Sequence, residues 1–138
     1  VLIQARDMGH CCWQFVKDSD YEGFYVRELA LREKRRYPPF VKLAIVRISY
    51  PREEVDGAAK LGLFSASFRR RGSECGLSVL GPAPAPLANL QGRMRFQCLV
   101  KGTDWKSIRA AYGAALRDTG SLPKEMRIQI DLDPVNML

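Results

Sequence analysis

The stretch Gly92-Arg93-Met94-Arg95-Phe96-Gln97-Cys98-Leu99-Val100-Lys101 carries the cleanest two-residue alternation in the chain. Met94, Phe96, Cys98 and Val100 fall on one side; Arg93, Arg95, Gln97 and Lys101 fall on the other. That is the pattern of a strand with one face in a core and one face in water. The parity recurs near the C-terminus, where Met126, Ile128, Ile130 and Leu132 alternate with Arg127, Gln129, Asp131 and Asp133. Between these two strands the period changes. Trp105, Ile108, Ala111, Tyr112, Ala115 and Leu116 keep helical spacing over 104–118, with Thr103 or Asp104 as cap and Gly120 to Pro123 as the stop.

Upstream, Val41 to Tyr50 is rich in β-branched and aromatic residues and reads as a strand buried on both faces at its centre. Pro51-Arg52-Glu53-Glu54 places proline and acids where a helix N-terminus favours them. The expected helix, 52–70, carries Leu61, Phe64 and Phe68 on one stripe and stops at Arg69-Arg70-Arg71-Gly72. Leu77 to Leu80 is a short strand leading into Gly81-Pro82-Ala83-Pro84-Ala85-Pro86, a stiff extended arm. The order from Val41 is βαββαβ. It predicts an α+β, ferredoxin-like fold: a four-stranded antiparallel sheet with two helices on one face and the other face open to a partner. Arg47, Arg93, Arg95 and Arg127 are expected on that open face.

Residues before this pattern read differently. Val1 to Gln4 suggests a strand with no neighbour in sequence to pair with, followed by helices from about His10 to Val16 and from Tyr21 to Arg35. Tyr37-Pro38-Pro39-Phe40 ends the second, because proline disfavours helix in the residue before it. The boundary is expected there, dividing 1–40 from 41–138. The opening, with neither an initiator Met nor a signal peptide, looks cut from something longer.

Charge narrows the function classes. The 138 residues hold 22 Lys and Arg against 15 Asp and Glu, a net charge of +7, and arginine outnumbers lysine 15 to 7. The planar arginine fork suits phosphate and carboxylate, so a polyanion or an acidic peptide is the expected partner. No apolar run is long enough to span a bilayer, and a soluble cytoplasmic protein without membrane partners is expected. Cys11, Cys12, Cys75 and Cys98 include no Cys-x-x-Cys, and His10 is the only histidine, so reduced and largely buried thiols are expected rather than a metal site. The chain has no P-loop, Gly-x-Gly-x-x-Gly or Gly-x-Ser-x-Gly, and no catalytic residue or bound cofactor is expected. Asp131 and Asp133 would share a strand face about 7 Å apart, a spacing open to metal or acid–base chemistry, but beside Arg127 they read as neutralising a basic sheet. Phe96 could stack a base; its parity instead points it to the core. The site expected from these residues comprises Arg93, Arg95, Lys101, Arg47 and Arg127, with Arg69, Arg70 and Arg71 as a second basic patch.

Several blocks stand together in order: Asp20-Tyr21-Glu22-Gly23-Phe24-Tyr25, Glu28-Leu29-Ala30-Leu31-Arg32, Tyr37-Pro38-Pro39-Phe40, Gly81-Pro82-Ala83-Pro84-Ala85-Pro86-Leu87, Arg93-x-Arg95-Phe96-Gln97 and Asp131-x-Asp133-Pro134-Val135-Asn136-Met137-Leu138. This set resembles the C-terminal end of the bacterial primosomal protein N′ (PriA) family of replication-restart helicases. The resemblance implies that residues to about Arg36 finish the second helicase lobe and that the rest is a C-terminal domain similar to a small ribosomal-subunit protein of the same topology. It implies binding to forked or single-stranded DNA, contact with other primosome proteins at the bacterial nucleoid, and a parent that is an ATP-dependent 3′-to-5′ helicase. The ATP, magnesium and zinc sites of that parent would lie upstream. A rival expectation follows from the same family: Arg93 with Gln97, on one strand face, holding the acidic tail of single-stranded DNA-binding protein. His10-Cys11-Cys12-Trp13 departs from the family pattern, as does Phe96 where tryptophan is common.

Overall fold

The computed structural model describes residues 2–7 and 9–135, in two compact units, residues 1–36 and 37–138. The expected strand at Val1 to Gln4 is not formed at residues 2–4, and Val1 lies outside the described residues. A strand needs a partner for its amides, and among the described residues the one sheet is made from residues 42–132. The first unit holds α1 (Cys12–Asp18) and α2 (Tyr21–Lys34), joined at Ser19 in the left-handed region and at Asp20, which caps α2 by accepting from the Gly23 amide.

The second unit runs β1 (Lys42–Pro51), α3 (Gly57–Glu74), β2 (Ser78–Leu90), β3 (Arg93–Gly102), α4 (Trp105–Thr119) and β4 (Arg127–Leu132). The antiparallel sheet has the order β2-β3-β1-β4, the ferredoxin-like arrangement expected. Its inner face buries Ala44, Val46, Ile48, Cys98 and Val100 against Leu61, Phe64 and Phe68 of α3 and Ile108, Ala111 and Ala115 of α4. Tyr112 meets the Phe64 and Phe68 rings edge-on and donates its hydroxyl to the Ile128 carbonyl at 2.9 Å. Phe96 pairs with Ile48 on this inner face and stacks on Tyr50, as its parity predicts. Each large side chain buried here contributes about 1.5–3 kcal/mol.

Three boundaries differ from the sequence reading, the first and third because long-range pairing overrides local preference. Residues 52–56 do not join α3: the Arg52 amide donates to the Gly92 carbonyl, holding the end of β1 against the β2–β3 turn, and helix begins at Gly57. At its other end α3 runs through Gly72 to Glu74. Gly76, at φ 69°, is the true stop. Its amide donates to Ser73 and the Leu77 amide reaches back to Gly72, a Schellman motif. The proline arm is the third difference. Instead of leaving the sheet at Leu80, β2 pairs with β3 as far as Leu90, with bulges between Leu80 and Ala83 and between Pro84 and Asn89. Pro82 and Pro86 lie within those bulges and Pro84 lies on the edge strand, the places where a sheet tolerates a residue without an N–H. Gln91 and Gly92, both at positive φ, make the two-residue turn into β3.

Candidate functional site

The outer sheet face is written by the register. Directly opposed residues point to the same side, so β1 sets out a series of rows. Pro51 lies opposite Arg93; Ser49 lies between Arg95 and Arg127; Arg47 lies between Gln97 and Gln129; Ile45 lies between Leu99 and Asp131; Leu43 lies opposite Lys101. Polar rows occupy one end and apolar rows the other.

Only the polar end is open. Ile45 points away from the helices and yet is 1% exposed, and Lys101 is 8% exposed with its ammonium 3.6 Å from the centre of the Tyr37 ring. The sequence reading had the whole face free and placed Lys101 in the binding site. Here Lys101 is buried beneath Tyr37, whose segment belongs to the second unit. That contact joins residues far apart in sequence, and strand parity carries no sign of it.

At the open end, short Ser49 stands between the two long arginines of its row. The result is a cleft of about 100 Å³ lined by Arg47, Ser49, Arg95, Gln97, Arg127 and Gln129, with Ala85 of the proline arm as a wall. Arg47 donates to Asp131 at 2.6 Å, a diagonal cross-strand pair. Arg93 is committed further along: it donates to the Ser49 carbonyl and hydroxyl, each at 3.2 Å, and to the Glu125 carbonyl at 2.6 Å. Among the described residues neither Arg95 nor Arg127 has a carboxylate partner. These two cations face the cleft with their charge uncompensated. Sequence reasoning had placed Gln129 on this face without a role and had overlooked Ser49, although Ser49 shares the parity of Arg47.

The second basic patch is differently employed. Arg71 holds Asp118 of α4 through two nitrogens, at 2.9 and 3.1 Å, Arg70 adds a third contact at 3.1 Å, and the Ser67 hydroxyl donates at 2.6 Å. The hydrogen bonds from Arg71 and Ser67 hold the Asp118 carboxyl well below the usual carboxylate range. Arg69 donates to the Gly81 carbonyl. This cluster ties α3 to α4 and to the arm.

Asp131 and Asp133 do not share a strand face. Asp133 lies beyond β4 at φ 56°, with its amide on the Leu43 carbonyl, while Asp131 is engaged by Arg47. Of the cysteines, Cys98 alone is buried, and burial pushes its thiol up to about 11; Cys11 and Cys75 are exposed. The expectation of largely buried thiols therefore holds for one of the four. Among the described residues no three His, Cys, Asp or Glu side chains gather closely enough to hold a metal ion, and no helix is long and apolar enough to cross a membrane.

Residues 33–135 match the Primosomal protein N C-terminal domain. The chain belongs to that family. All of it aligns with Replication restart protein PriA of Bacillus subtilis at 33% identity and with the protein of the same name from Treponema pallidum, also at 33%; 99% of it aligns with that of Synechocystis at 30%. The chain spans only 17%, 20% and 16% of those relatives. Of the resembling blocks, Asn136-Met137-Leu138 lie outside the described residues; the others fall on α2, the Tyr37–Phe40 segment, β2, β3 and the end of β4. As a primosomal C-terminal domain, the second unit presents its open polar face on the side opposite α3 and α4.

Proposed function

We propose that this chain is the DNA-binding module of a longer replication-restart helicase, which it helps to seat on forked or single-stranded DNA so that other primosome proteins can assemble. The observation that carries the reading is the pair Arg95 and Arg127, opposed across Ser49 and without carboxylate partners among the described residues, on a chain of net charge +7. Their chemistry is sequence-independent: guanidinium groups neutralise phosphates and release condensed counterions. Arg47 and Arg93 sit on the same face, restrained by Asp131 and by Ser49 and Glu125, and form a supporting ring of positive charge. Lys101 is buried, and Arg69, Arg70 and Arg71 are occupied structurally, so phosphate contact is assigned to the open face alone. ATP hydrolysis and the metal sites belong, in this reading, to the rest of the parent, which works at the bacterial nucleoid.

Titrating fluorescent fork DNA at a series of salt concentrations tests this. Arg95→Ala and Arg127→Ala should each lower the log–log salt slope by about 0.7–0.9 and weaken all sequences alike. A marked base preference, or binding insensitive to salt, would contradict it.

A second reading has its own observation. Gln97 shares the cleft with Arg95 and Arg127, and a recess of about 100 Å³ suits one carboxylate. The acidic tail of single-stranded DNA-binding protein is the partner this favours, with Gln97 joined by Arg95 and Arg127 in place of Arg93, which Ser49 and Glu125 hold outside the recess. Because carboxylate capture depends on the planar fork, Arg95→Lys should weaken a tail peptide more than fork DNA; equal losses would remove this reading.

A further inference from the structure

The proline arm does more than blunt a sheet edge. Between the pairs Pro84–Phe96 and Asn89–Met94, β2 advances five residues while β3 advances two. The surplus forms a bulge, Ala85-Pro86-Leu87-Ala88, standing beside the arginine cleft, and Ala85 at its base is a wall of that cleft. Leu87 is 59% exposed and Pro86 is also exposed. Proline at 82, 84 and 86 fixes the backbone of the arm, so its apolar tip is held out without the conformational entropy of an ordinary loop. A solvated leucine on a stiff support, in a bulge whose base, Ala85, lines the cleft beside Arg95, calls for an apolar partner next to a phosphate.

We propose that Leu87, backed by Pro86, is a wedge that packs against an unstacked base at the branch point of DNA held by Arg95 and Arg127. This rests on the DNA-binding reading and adds which part of the DNA the domain senses. Leucine and proline serve as wedges because an apolar surface replaces the base-stacking contact it displaces. A base that is already unpaired needs the least energy to accept one. A continuous duplex would satisfy the arginines and leave the leucine in water, so the wedge confers preference for a branch on an interface that otherwise counts phosphates.

The experiment uses the 138-residue chain and a fork with 2-aminopurine at the junction, whose fluorescence rises when the base unstacks, alongside anisotropy for affinity. Wild type should raise the fluorescence at saturation. Leu87→Ser should abolish the rise while changing Kd by less than about fivefold, roughly 1 kcal/mol; Leu87→Phe should keep it. Arg127→Ala should weaken binding and leave the rise at saturation intact. Normal binding with a rise that survives Leu87→Ser overturns the wedge and leaves the DNA reading standing. An equal rise from a probe in the middle of the duplex arm also overturns the wedge. A chain that binds no fork at all overturns both.

Discussion

Asp131→Asn should tighten fork binding, although Asp131 lines no part of the arginine cleft. Asp131 Oδ2 sits 2.6 Å from Arg47 Nη1, with the side chains 45% and 30% exposed respectively. A pair this open to solvent contributes at most about 1 kcal/mol to stability, so the variant should fold. What changes is the field at the open face, where Arg47 is the direct cross-strand neighbour of both glutamines of the cleft. Removing the carboxylate deletes a negative charge one row from Arg47 and two rows from Arg95 and Arg127, and lets the Arg47 fork turn towards a phosphate. If each duplex phosphate contact contributes about 0.9 to the salt slope, one added contact is worth about eightfold in affinity at 0.1 M relative to 1 M salt, roughly 1.2 kcal/mol. Anisotropy titrations between about 50 and 200 mM salt should therefore show a steeper line with the gain largest at low salt. Asp131→Glu, which keeps the charge, is the control and should bind like wild type. An Asp131→Asn protein with unchanged slope and unchanged or weaker affinity would mean that Arg47 takes no part in the interface.

Two stability predictions concern the frame behind that face. Gly76→Ala puts a Cβ at φ 69° and should destabilise by about 1–2 kcal/mol in urea unfolding. Gly62→Ala, in an exposed position inside α3 where an added Cβ meets nothing, should instead gain about 0.5–1 kcal/mol. Asp118→Asn should loosen α3 from α4 at neutral pH. Since the folded carboxyl titrates below its ordinary range, the wild type's advantage should persist down to about pH 4 and shrink as pH falls further; an advantage that vanishes above pH 5 would exclude this ion cluster as its source.

Most of the fold was legible because both periods are clean. Strand parity placed Phe96 and Cys98 inside and Arg95 and Gln97 outside; helical spacing named every buried residue of α4 except Thr119. The misplaced boundaries share a cause. Pro51-Arg52-Glu53-Glu54 has the chemistry of a helix start, but pairing with the β2–β3 turn claims it first. Gly72 looks like a helix stop but is buried in the last turn of α3, where an added Cβ would come 2.6 Å from Val79 Cγ2. Its lack of a side chain serves packing, and the left-handed position four residues later does the stopping. Local signals identify the residue type a boundary needs; which of two glycines is used depends on what packs beside them.

The site was legible to the same depth. Parity names the residues that share a face, and Arg47, Arg93, Arg95 and Arg127 do share one. It cannot name which of them retain charge to offer a partner, because that is decided by diagonal neighbours on strands distant in sequence. Arg47 and Asp131 meet only because β1 is flanked by β4 in one particular register, and a shift of one residue would have turned Asp131 inward. Arg93 is bound by a carbonyl from the loop before β4. Of four arginines alike in sequence, the fold engages two with internal acceptors and leaves the two that flank Ser49. A small residue between two long ones is a feature of rows across a sheet, and rows exist only once the strands have paired. The candidate interface is thus a product of register: the sequence supplies the cations, and strand pairing selects which of them remain available to bind a phosphate.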